Sequence, residues 1–412
     1  VVKRRVVVTG MGAITPVGNG AKAFWENLIA GQCGVDRITL FDSSGLPCRI
    51  GAEIKNFCIT DHIPPKLARE TDRFMHFALV TAAEALNGSG LQVGSADPYR
   101  VGVVFGTSAG GLTTVTDAQT NFMSKARYRV NPHFMSRMLP NLAAGHIAIR
   151  HGFKGPSLTI ATACATGTDV VGIAMSILQT GAADVILAGA SDSLYCQLVF
   201  AGLCSARAMS TRNDEPAKAS RPFDRQRDGM VMGEGAGTVV LETLDHARRR
   251  NAPIWGELIG YANCGDGFHA MAPQPDGKGE IYCMREALTG AGLGPQEIDY
   301  INAHGTSTPQ GDRVETLAIK EVFGPRAYQI PVSSIKGATG HMIAAAGIIE
   351  LIASLKAINQ SIIPPTINYD EPDPECDLNY VPNHARHLSI NTVMSNSFGF
   401  GGQNASIVVT KI

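Results

Sequence analysis

A chain of 412 residues exceeds the roughly 250 to 300 residues at which a single hydrophobic core stops growing, so at least two core-forming units are expected. Hydrophobic residues at 44%, charged residues at 17% and 45 glycines describe a compact protein with many tight turns and exclude a disordered one. With 35 basic against 36 acidic residues and a formal charge of −1, no global field draws the chain to nucleic acid or anionic lipid, and a charged partner must meet a local patch.

Arg5 to Thr9 reads as an opening strand, a short β-branched run stopped by Gly10 that lacks the longer apolar region of a signal peptide. Pro64 to Leu86 reads as a helix, with proline at its start, Leu67, Phe74, Phe77, Ala78 and Leu86 on one face, and Gly88 as its end. Strands follow at Val101 to Phe105, Ser157 to Ala163, Asp184 to Ala188 and Thr238 to Glu242. Arg248-Arg249-Arg250 precedes Asn251 and Pro253, and three cations there suit a helix C-terminus better than a recognition patch. That break is the best candidate boundary. A second series of strands runs through Ile254 to Gly260, Tyr300 to Ala303, Ile330 to Ser334 and Ala405 to Thr410, with an apolar helix from Ala344 to Ile358 between the last two. Short β-branched runs alternating with alanine-rich helical stretches call for an α/β fold whose sheets are covered on both faces. No stretch offers the roughly 18 uninterrupted apolar residues of a membrane span. Nine cysteines without a C-x-x-C pair read as reduced thiols, so no membrane association and a cytoplasmic protein are expected, or one of an organelle stroma after loss of a transit peptide.

Three blocks carry chemistry. Ser157-Leu-Thr-Ile-Ala-Thr-Ala-Cys164 is an apolar strand delivering a thiol where small residues open a helix, and unpaired N–H groups there are expected to lower the thiol pKa. Tyr300-Ile-Asn-Ala-His304 is a strand ending in histidine, followed by Thr306, Thr308, Asp312 and Glu315. Ser333-Ser-Ile-Lys336-Gly-Ala-Thr-Gly340-His341 is a strand, a glycine turn and a second histidine. Each residue alone is more often structural than catalytic; together they point to one site, because strand ends converge on one crevice in α/β folds.

At these residues the chain resembles the β-ketoacyl-acyl carrier protein synthases of the thiolase superfamily, in particular the type II synthases of elongation. The resemblance runs from Val6-Val-Val-Thr-Gly-Met-Gly to Ser395-Asn-Ser-Phe398-Gly-Phe400-Gly-Gly402-Gln-Asn404, through Arg221-Pro-Phe-Asp-Arg-Gln-Arg-Asp-Gly229 and Gly233-Glu-Gly-Ala-Gly237. It implies a five-layered αβαβα fold of two similar halves, residues 1–254 with the nucleophile and 255–412 with both histidines. It also implies a homodimer, acyl carrier protein as partner, and no cofactor beyond the carrier's phosphopantetheine. By the same resemblance Cys164 is the nucleophile and the backbone N–H groups of Cys164 and Phe400 form the oxyanion hole. His304 and His341 hydrogen-bond the thioester oxygen as neutral imidazoles, with Lys336 as a further catalytic residue and Glu350 and Asp312 in support. Thr306 and Thr308 hold the pantetheine arm. Phe400 gates the acyl pocket that Ala109 lines, whereas Phe398 reads as core packing. Lys66, Arg69, Arg127, Arg129 and Arg207 are candidates for docking the acidic carrier.

Ala109 stands where many elongation synthases carry a bulky aliphatic residue, and Met271 and Ala272 stand where hydroxyl residues are common. Gly189-Ala-Ser-Asp192-Ser likewise replaces a more common Gly-Gly-Thr-Glu-Ala. A roomier acyl tunnel, and with it a polyketide or polyene pathway, is therefore an alternative to fatty-acid elongation. A non-catalytic chain-length partner is expected to lack the nucleophile that Cys164 supplies. A cysteine hydrolase needs one activating histidine rather than two histidines and a lysine. No metal is expected, since the spacing of Cys164, His304 and His341 matches no metal motif. Gly233 to Gly237 precedes a strand, where a dinucleotide loop must precede a helix.

Overall fold

The computed structural model describes residues 4–92, 94, 96–124 and 130–412. Ten strands form its main path: β1 (Val6–Thr15), β2 (Val101–Gly106), β3 (Ser157–Ile160), β4 (Val185–Asp192) and β5 (Gly235–Thr243), then β6 (Gly256–Gly265), β7 (Tyr300–Asn302), β8 (Val332–Ser333), β9 (Thr392–Gly399) and β10 (Gln403–Thr410). The first five lie in the order β1-β5-β4-β2-β3 and the last five in the order β6-β10-β9-β7-β8. In each set the first strand pairs antiparallel with the fifth, the fifth antiparallel with the fourth, and the fourth, second and third run parallel. One topology is thus used twice, and the two sets touch where Val6–Val8 of β1 pairs with Gly256–Leu258 of β6.

Helices cover both faces, because parallel strands with no polar face must be covered. The helices α1 (Arg73–Ser89) and α2 (Leu142–His151) pack outside the first set; α4 (Lys278–Ala291) and α5 (Pro309–Phe323) pack outside the second. Between the sets lie α3 (Thr166–Gln179) and α6 (Ala346–Gln360), in contact with each other and with strands of both. This is the expected αβαβα layering. The central helices approach closely because glycine faces them both: a Cβ on Gly167 would lie 2.7 Å from the Ala344 carbonyl, and one on Gly347 would lie 2.7 Å from the Thr168 nitrogen. The apolar run Ile343–Gln360 has the length of a membrane span, but 83% of it is buried between the sheets, so its composition is that of a core helix.

Each central helix is entered through a 3₁₀ turn, Ala163–Ala165 in the first half and Ile343–Ala345 in the second. Ala163 and Ile343 hold φ of 48° and 49°, a left-handed conformation that costs a residue with a Cβ about 1 kcal/mol or more. The repeat places Cys164 in the first turn and Ala344 at the equivalent position in the second.

Five expectations change in detail. The helix from Pro64 is two helices, because Thr71 is extended and the Asp72 carboxylate caps a fresh start by accepting from the Phe74 N–H at 3.3 Å. It passes through Gly88 and ends before Gly90, which takes φ 65°. The strand at Ser157 leaves the sheet after Ile160 instead of reaching Ala163. No strand is predicted at β9, whose Ser395, Asn396 and Ser397 carry no β-branched signal, yet it pairs with β10 along its whole length. Arg248 and Arg249 do end a helix, while the Arg250 side chain turns inward, where its Nε donates at 2.9 Å to the buried Glu242 carboxylate.

Candidate active site

The 3₁₀ turn after β3 lifts Cys164 to the start of α3, β7 delivers His304 at its C-terminal end, and the Lys336–Thr339 turn after β8 delivers His341. The Cys164 Sγ and one nitrogen of each imidazole all lie within 4.8 Å of one another. The two imidazole rings meet edge to face at 5.3 Å. All three side chains are buried, yet they line a cavity of about 450 Å³ together with Glu315, Phe398, Phe400, Thr306 and Thr308.

Burial dominates the electrostatics. It pushes the Cys164 thiol up to about 11, against the opposing pull of the Phe400 N–H, the Lys336 ammonium and the Cys164 N–H. The expectation of a thiolate favoured by the helix end is therefore corrected: desolvation outweighs the dipole, and the resting group is a thiol. Burial, the Lys336 ammonium and, for His304, the second imidazole hold both histidines well below the ordinary value. Both rings are neutral. Among the described residues neither nitrogen of His341 nor Nδ1 of His304 has a partner, so these groups remain available to a substrate oxygen.

The rings are fixed through their backbones. Glu315 accepts from the His304 and Gly305 N–H groups, each at 2.7 Å. Asp312, one turn earlier on α5, accepts from Phe223 N–H at 2.7 Å and Ser307 N–H at 3.1 Å, which ties the 221–229 segment to the 305–308 loop. Burial raises Asp312 to about 6 and Glu315 to about 7. Lys336 donates to the His304 carbonyl at 2.5 Å and pairs with Glu350; both side chains are essentially inaccessible. Its hydrogen-bond partners are the His304 backbone and Glu350, and its charge acts on both imidazoles through space. His341 is held by its own backbone, which donates to the Val231 carbonyl at 2.7 Å and accepts from Gly233 N–H at 2.8 Å. That contact is what the Gly233–Gly237 block does before it becomes β5.

Phe400 sits in the three-residue loop between β9 and β10, where Gly401 and Gly402 take φ of 84° and 66°. Positive φ at the loop end is what a hairpin of this length demands. Gly399 lets the hairpin approach the nucleophile, since a Cβ there would lie 3.1 Å from the Cys164 nitrogen. The backbone N–H groups of Phe400 and Cys164 both act on the Cys164 sulfur, each favouring its thiolate. Phe398 departs from its expected core role, because it is half-buried, lines the cavity and stands edge-on to His304 at 6.0 Å.

Thr306 and Thr308 line the same cavity, their hydroxyls 3.0 Å apart. Ala109 does not line it and is exposed on the single chain. Its loop is nonetheless tied to the site, for Asp192 accepts from Ser108 N–H at 3.0 Å with one oxygen and from Ala344 N–H at 2.9 Å with the other. Arg207 is exposed at the cavity mouth; Lys66 and Arg69 are exposed on the Pro65–Glu70 helix; Arg127 and Arg129 lie outside the described residues. Sequence reasoning missed Asp266, His269 and Glu280, which line the cavity, and gave no role to Glu315 or Asp192 although both stand in blocks it singled out. For Glu315 the signal was present: two acids three apart in the opening turns of α5 are placed to bind the N–H groups of the loop before it.

Comparison with known proteins agrees with this geometry. Residues 3–247 match the family described as beta-ketoacyl synthase, N-terminal domain, and residues 255–370 match its C-terminal domain. The chain is 46% identical over 409 residues to 3-oxoacyl-[acyl-carrier-protein] synthase 2 of Synechocystis sp., covering 99% of this chain and 98% of that one. It is 44% identical over 410 residues to the protein of the same name from Coxiella burnetii, with 100% and 99% covered. A solved complex of a type II polyketide acyl-carrier protein with its ketosynthase, bound to the hexaketide, superposes with a TM-score of 0.92 at 33% identity over the full length of both chains. The repeated sheet topology, the buried Cys164 with two neutral histidines, and these matches together place the chain in the β-ketoacyl synthase family of condensing enzymes.

Proposed function

We propose that this enzyme is a 3-oxoacyl-[acyl-carrier-protein] synthase of fatty-acid elongation, condensing a Cys164-bound acyl group with malonyl carrier. The observation that carries the reading is the convergence of one thiol and two neutral imidazoles within 4.8 Å at a shared cavity. In the first half-reaction the Cys164 sulfur attacks the carrier thioester. Its proton passes by way of a neutral imidazole to the departing pantetheine sulfur, while the Cys164 and Phe400 N–H groups hold the oxyanion. In the second, the malonyl C–CO₂ bond breaks and the electron pair enters an enolate whose oxygen accepts from His304 and His341. Its carbon then attacks the acyl carbonyl, and the released Cys164 thiolate regains a proton. Burial of the site keeps water from quenching the enolate. A catalytic metal is not part of this reading, since a cation bound by Cys164, His304 and His341 would face the Lys336 ammonium.

The same proposal includes two structurally similar halves that divide after residue 254, a second copy of the chain, acyl carrier protein docked through Arg207, Lys66, Arg69, Arg127 and Arg129, and a cytoplasmic or stromal place. For the second copy, strand β3 at the edge of its sheet is half-open, with Leu158 45% exposed a short stretch of chain before the nucleophile. Unpaired strand edges with apolar side chains are sites of pairing. The expected result with purified protein, malonyl carrier and acyl carriers is carbon dioxide release and a 3-ketoacyl carrier two carbons longer. Free acid without carbon dioxide overturns the reading in favour of a hydrolase, and products extended repeatedly on one carrier favour a polyketide pathway.

Ala109 is assigned to an acyl tunnel that the second copy completes. Each buried CH₂ of chain is worth about 0.8 kcal/mol, so A109I is expected to shift the preferred acyl chain by two or more carbons toward shorter substrates in a panel of acyl carriers. An unchanged preference removes Ala109 from the tunnel.

A further inference from the structure

Helix α4 carries Glu280, which is 3% exposed and lines the cavity that holds Cys164, His304 and His341. Three acids share this wall, and two of them are engaged. Glu315 accepts two backbone N–H groups. Asp266 accepts from the Asn404 side chain at 2.6 Å and from Gln274 N–H at 3.3 Å. Glu280 is different: its buried Oε2 has no partner among the described residues, and no ion pair of the described residues includes it. Burial, the carboxylates of Glu315 and Asp266, and the Cys264 thiol together raise it well above the usual carboxylate range. The raised value favours the protonated form, which is a donor as well as an acceptor. A buried polar group with no protein partner is a liability to the fold, and it persists where a ligand uses it.

We propose that Glu280 is a substrate-reading residue, a carboxylic acid whose O–H donates a hydrogen bond to an acceptor oxygen of the extender thioester in the cavity. This rests on the condensing function proposed above. The acceptor is either the carboxylate of the malonyl unit or an amide carbonyl of the carrier arm, and the two are distinguishable because unloaded carrier has the arm alone.

The test uses the full-length enzyme and its E280Q and E280L variants. E280L is expected to raise the KM for malonyl carrier at least tenfold, while E280Q, whose amide still donates, raises it far less. The alkaline decline of kcat/KM in the parent is expected to disappear in E280Q, which has no proton to lose there. E280L is expected to unfold at a temperature equal to or above the parent's, since it removes a buried unpartnered carboxyl. If the inhibition constant of unloaded carrier rises in parallel with KM, the oxygen belongs to the arm; if only malonyl carrier weakens, it is the extender carboxylate. An unchanged KM in E280L overturns the proposal, as does a lowered unfolding temperature with loss of Cys164 acylation, the mark of a structural role. Acylation of Cys164 in the parent, read by mass, separates this failure from that of the condensing function, which falls if the parent itself is never acylated.

Discussion

Replacing Cys164 by alanine is expected to lower condensation by roughly 10⁴-fold or more, the scale on which removal of a covalent nucleophile acts. Decarboxylation of malonyl carrier should persist, because the imidazoles that accept the enolate charge are untouched. Loss of both activities would mean that Cys164 organises the site instead of carrying the acyl group. The intact enzyme gives a second readout. The thiol is raised to about 11 by burial, so the thiolate is scarce at neutral pH and grows about tenfold per pH unit below that value. Alkylation of Cys164 by iodoacetamide in the substrate-free enzyme is therefore expected to quicken steadily between about pH 7 and 10. A rate already level at neutral pH would mean that the helix end and Lys336 outweigh desolvation.

Removing Lys336 is expected to have the largest effect on stability. Lys336 and Glu350 are 1% and 0% exposed, and the second Glu350 oxygen has no partner among the described residues. K336M leaves a carboxyl in the core with nothing to balance it, which typically costs about 3 to 5 kcal/mol. It also frees the His304 carbonyl. Chemical denaturation should show the loss, and K336M combined with E350L should recover most of it, since replacing both partners by apolar groups is often near neutral. Activity should not recover with stability, because the ammonium that fixes the His304 backbone is still missing. A double variant regaining both would reduce the pair to a structural role.

Much of the fold was legible in the sequence. The strands of β1, β2, β4 and β5 are β-branched runs bounded by glycine, and their spacing around helical stretches already implies sheets covered on both faces. Strand β9 was illegible for a physical reason. Its Ser395, Asn396, Ser397 and Gly399 are selected by contacts across the chain: Ser397 hydrogen-bonds Thr168 at 2.9 Å, and Asn396 accepts from Ser406 at 2.9 Å. Pairing with β10 supplies what local propensity does not. Phe398 was misread for the same reason, since one face of a hairpin near its turn cannot be told from core until the ring it faces is known.

The sequence by itself determined the two-part α/β architecture and the chemistry: a thiol where a helix opens, two histidines at strand ends, and a lysine and acids at fixed distances along the chain. Tertiary structure alone decided the charge states. The Cys164 thiol is neutral because burial outweighs the Lys336 ammonium, whereas both imidazoles are neutral because burial and that ammonium act on them in the same direction; desolvation depends on what surrounds a group in three dimensions. For the same reason only the folded chain reveals Glu280, an ordinary helix residue in the sequence, as an acid on the wall of the catalytic cavity whose buried Oε2 has no partner among the described residues.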